Sequence, residues 1–98
     1  MERIMEKLNA ISAAWKSLPA HGTKPEMPLH WSVDAFGMLC LNNIWLCPVR
    51  YVDTTLLDEY TKRVHDACIQ IPLGRETLDI IIVQEFDEYK IHAIERHI

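Results

Sequence analysis

Residues 38–49 constrain the fold more than any other segment. Two short apolar runs, 38–41 and 44–49, are separated only by Asn42-Asn43. Asparagine tolerates the left-handed backbone that a two-residue turn demands, so the pattern predicts a tight hairpin. Pairing across that turn sets Leu41 against Ile44, Cys40 against Trp45, Leu39 against Leu46 and Met38 against Cys47, each pair on one side of the ribbon. One face then carries Met38, Cys40, Trp45 and Cys47, and the other Leu39, Leu41, Ile44 and Leu46. Both faces are apolar and need covering, either by helices packed on the two sides or by a second chain.

The flanking segments supply candidate covers. Ile4, Leu8, Ile11, Trp15 and Leu18 recur at helical spacing, which predicts an amphipathic helix over residues 1–18. Pro19 stops it, and residues 19–28 hold three prolines and Gly22, the composition of an extended connector. Residues 29–36 alternate as a strand before Gly37. Thr55 and Asp58 imitate a capping box, opening a second helix whose buried stripe runs through Leu56, Leu57, Tyr60, Val64, Ala67, Cys68 and Ile71 up to Pro72. Residues 77–85, rich in β-branched side chains, read as a central strand. Tyr89, Ile91 and Ala93 favour a strand over residues 89–97, while Phe86, Tyr89, Ala93 and His97 could also share a helical face. The expected fold is α+β: a five-stranded, mainly antiparallel sheet with two helices, in the order α-β-β-β-α-β-β. At 98 residues the chain is expected to be a single domain over 1–98, with residues 29–98 holding the sheet and the second helix.

Composition removes several functional classes. The chain is 49% apolar and 24% charged, as in ordinary folded proteins. A formal charge of −4 and scattered basic residues oppose nucleic-acid binding. The longest aliphatic run, residues 80–83, is far below the roughly 20 residues of a membrane span, so no membrane contact is expected. Glu2 and Glu6 fall where a signal peptide is cationic or apolar, and the odd count of three cysteines suits reduced thiols. Both features predict a cytoplasmic protein.

Catalytic signatures are missing from the sequence: no nucleophile elbow, phosphate-binding glycine loop or His-Glu-x-x-His motif occurs, and only three glycines are present. No enzyme activity and no cofactor is therefore expected. The predicted register places Cys40 and Cys47 on one face, and His65 and Cys68 one turn apart on the second helix. A small zinc- or thiol-dependent protein built on these four residues is the alternative reading, though their spacing matches no familiar zinc pattern.

The three tryptophans point instead to binding, since Trp is enriched at interaction hot spots. Trp15 belongs to the first helix stripe. Trp31 and Trp45 lie on strands, and one of them is expected in the core. The candidate binding residues are Trp31, Trp45, Met38, Leu8 and Trp15.

The expected element order resembles that of the small acidic homodimeric chaperones of type III secretion effectors, a likeness of elements and not of motifs. It implies a dimer that binds segments of another protein. Independently, the doubly apolar hairpin and the stripe of the first helix predict a homodimer, with helix one or the Trp45 face at the interface. The function expected is that of a non-enzymatic protein-binding module, such as a chaperone, adaptor or inhibitor.

Overall fold

The computed structural model describes residues 2–18, 28–64, 68–86 and 88–97. Helix α1 (Glu2–Ser17) is followed by strands β1 (Trp31–Val33), β2 (Met38–Leu41) and β3 (Ile44–Pro48), then a 3-10 turn (Val49–Tyr51) and a short helix α2 (Leu57–Thr61). Strands β4 (Cys68–Leu73), β5 (Glu76–Glu85) and β6 (Glu88–His97) complete the order. The class is α+β, as the periodicities predict, but the strands form two three-stranded antiparallel sheets, β1-β2-β3 and β4-β5-β6, and not one sheet of five.

The extra strand comes from the segment expected to finish the second helix. Ile69 and Ile71 are fully buried, and their spacing of two directs both to the core side of a strand paired with β5. Val64, Cys68 and Ile71 are equally compatible with helical spacing, but pairing with β5 satisfies the backbone of β4 and buries the isoleucines. The two-residue turn at Gly74-Arg75, with Gly74 at φ +76°, links the two strands. Pro72 is accommodated because β4 lies at a sheet edge, where its carbonyl accepts the Asp53 N–H at 2.8 Å. The expected capping box is also replaced. Thr55 bonds back to Asp53 through both its N–H (3.1 Å) and its hydroxyl (2.6 Å), and α2 starts after Leu56 without a side-chain cap. His65 and Ala67 lie outside the described residues, as do residues 19–27 of the connector.

One core joins these elements. The α1 stripe of Ile4, Leu8, Ile11 and Trp15 is buried, as its spacing predicts. It shares a cluster with Trp31, Leu39, Leu41 and Cys47 of the first sheet, and with Ile69, Ile71, Leu78, Ile80 and Ile82 of the second. The Trp31 indole N–H donates to the Ser12 hydroxyl, which satisfies the polar end of a ring otherwise inside the core. The α1 stripe, expected as a possible interface, is thus used by the chain itself. No helix among the described residues is long and apolar enough to cross a membrane.

Candidate protein-binding surface

The outer face of the first sheet is built by two turns and a bulge. Between β1 and β2, Asp34 organises a tight turn: its Oδ1 accepts the N–H groups of Phe36 and Met38, each at 2.9 Å, and its carbonyl accepts the Gly37 N–H at 3.1 Å. Gly37 sits at φ +78°, which only glycine adopts without strain. Phe36, in the middle of this turn, is 79% exposed. Between β2 and β3, Asn42 (φ 51°) and Asn43 (φ 67°) form the two-residue turn that their identity predicts. The Asn42 amide also fixes the approach to β1, accepting from the His30 N–H at 2.7 Å and donating to the Pro28 carbonyl at 3.0 Å.

The register agrees with the sequence near this turn, where Leu41 pairs with Ile44 and Cys40 with Trp45, and departs from it beyond. An extra residue, Leu46, is accommodated by a bulge, so Leu39 pairs with Cys47 and Met38 with Pro48. The displacement has a chemical consequence. Strict alternation would put Trp45 and Cys47 on the same outer face, whereas the bulge turns Cys47 into the core, 2% exposed, and leaves Trp45 outside at 61%. Cys40 and Cys47 therefore lie on opposite faces, so the alternative set of Cys40, Cys47, His65 and Cys68 is divided at its first two members, His65 lying outside the described residues. Among the described residues no group of three potential metal ligands occurs.

Phe36 and Trp45 meet on the outer face, with ring centroids 6.3 Å apart and planes inclined at 59°. This tilted arrangement is a favourable aromatic contact, and it leaves most of the surface of both rings in water. Cys40, opposite Trp45, is buried although it is no part of the core cluster. The 3-10 turn starts beside Gly37, where the Val49 N–H donates to the Gly37 carbonyl at 2.9 Å. It adds the exposed Tyr51, over which the Arg50 guanidinium stacks at 4.8 Å from the ring centre.

Of the residues read as binding candidates, only Trp45 is exposed. Met38 is half-buried, while Leu8, Trp15 and Trp31 belong to the core. Phe36 was not among the candidates. Its signal is an aromatic residue inside an Asp-x-x-Gly turn, where polar side chains are the rule. Because Trp15 and Trp31 are buried, acrylamide is expected to quench mainly Trp45, and Trp45→Phe should abolish the readily quenched part of the emission. Equal quenching of the variant and the unaltered protein would contradict this placement.

All three thiols are pushed above the ordinary cysteine range. Burial raises Cys47 from 9.0 to about 11, with the nearby charge of Glu95 adding to it. Burial and then Asp34 raise Cys40. Cys68 is raised by burial and by Asp79, against the opposing influence of Arg96 and a hydrogen bond from the backbone of Ile80. Such thiols are poor nucleophiles near neutral pH. No known family matches the chain, and no curated protein or solved structure is significantly similar to it.

Proposed function

We propose that the protein is a non-enzymatic binding module that holds an apolar segment of another polypeptide against the outer face of its first sheet. The observation that carries this reading is the Phe36–Trp45 pair, two large rings in tilted contact and still mostly exposed. Contiguous exposed aromatic surface marks interaction sites. Asp34 and Arg50 lie at the Phe36 end and supply a polar border of both signs. Chaperones, adaptors and inhibitors act through contacts of this chemistry. The raised thiol pKa values and the separation of Cys40 from Cys47 give the zinc or thiol alternative no support.

Paired affinity captures, with the intact chain and Trp45→Ala as baits, test the proposal. A partner retained by the intact chain should be lost with the variant, whose fold the exposed position leaves unchanged. Partners retained equally by both baits would place binding elsewhere.

A further inference from the structure

The second sheet carries a different surface, independent of the aromatic face. Strand β6 has ten residues, pairs with β5 in unbroken register along its whole length, and is the last strand of its sheet. Among the described residues no strand pairs with its outer edge. Side chains on both of its faces are exposed, Ile91 being the half-buried exception among those described. It contains no proline and no bulge, two of the devices that protect an edge from pairing. Its one lysine is a weak guard, because Lys90 Nζ is already engaged by Glu85 at 2.9 Å.

We propose that β6 pairs antiparallel with β6 of a second copy, about a twofold axis at His92, joining two three-stranded sheets into one of six strands. The charges select both the partner and the register. In a twofold pair, residues facing each other must lie on the same side of the sheet, so the axis falls on a residue. The two axes that overlap the strand most are those at His92 and Ala93. With the axis at Ala93, Lys90 faces Arg96 of the other copy, and the like-charge clash occurs twice. With the axis at His92, Glu88 faces Arg96 twice, Ile91 faces Ala93, and Lys90 faces Ile94. Arg96 can serve both contacts: its Nε is held by Asp79 Oδ2 at 2.8 Å, and the guanidinium has four further N–H donors. A peptide from an unrelated protein has no reason to repeat this charge pattern, whereas a second copy supplies it by symmetry.

Sedimentation of the full chain should show concentration-dependent dimers. Glu88→Arg should weaken them about tenfold or more, because both Glu–Arg pairs become repulsive. Arg96→Glu should do the same, and an equimolar mixture of the two variants should restore dimers through two Arg–Glu pairs. Circular dichroism checks that each variant folds. A crosslink avoids perturbing Asp79: in a Cys68→Ser background, His92→Cys should oxidise to a covalent dimer faster than Lys90→Cys, since only residue 92 meets itself. A monomer at all concentrations would overturn the proposal. So would dimers indifferent to Glu88→Arg, or equal crosslinking at residues 90 and 92.

Discussion

Leu8→Glu is expected to unfold the protein, or to leave it with a small fraction of its stability. Leu8 is 0% exposed, and it joins α1 to a core that also draws on both sheets. Truncation to alanine alone would cost about 3 kcal/mol in lost burial and cavity formation. Glutamate adds the cost of a carboxylate with no partner, and small domains have only about 5–15 kcal/mol in total. Chemical denaturation followed by circular dichroism measures this directly. A Leu8→Glu protein with near-normal stability would mean that α1 packs elsewhere.

The second large effect is alkaline destabilisation through Cys47. Its thiol is raised in the folded state, so folding favours the protonated form, and the unfolded chain ionises first. The contribution is complete below the unfolded value of 9.0 and is lost progressively as pH rises to about 11. A displacement of this size corresponds to about 3 kcal/mol at the upper end. Other groups titrate in the same range, so the decisive quantity is the difference between the unaltered protein and Cys47→Ala. That difference should be flat up to pH 9 and shrink or reverse between 9 and 11. Parallel stability curves across this interval would show that Cys47 is not buried as described.

Local periodicity was a good guide where one element alone decides which side chains are covered. The α1 stripe follows from Ile4, Leu8, Ile11 and Trp15 because a single helical face is enough to bury them. The alternation of Tyr89, Ile91 and Ala93 favours the strand that is observed, although Phe86, Tyr89, Ala93 and His97 fit a helical face as well, and pairing with β5 is what settles it. Residues 62–73 show the opposite case. Their apolar positions satisfy both helical and strand spacing, and it is the hairpin pairing of β4 with β5, together with the burial of Ile69 and Ile71 in the common core, that decides. Whether six strands form one sheet or two is again a matter of partners and not of period.

The candidate surface was half legible for a similar reason. Asn42-Asn43 announces its turn, and the pairing of Cys40 with Trp45 follows from it. The bulge at Leu46 has no signature in residue type, yet it turns Cys47 away from Trp45 and Cys40 while leaving the aromatic face. The resemblance to effector chaperones rested on element order, and β4 changes that order.

The central claim is that Trp45 and Phe36 form the contact with another polypeptide. It is tested most directly by the dissociation constant of a captured partner for the unaltered protein and for Trp45→Ala, measured with the melting temperature of both. A central aromatic anchor is worth about 2 kcal/mol or more, so the constant should rise at least about thirtyfold while the melting temperature stays the same. An unchanged dissociation constant for the folded variant would contradict the account.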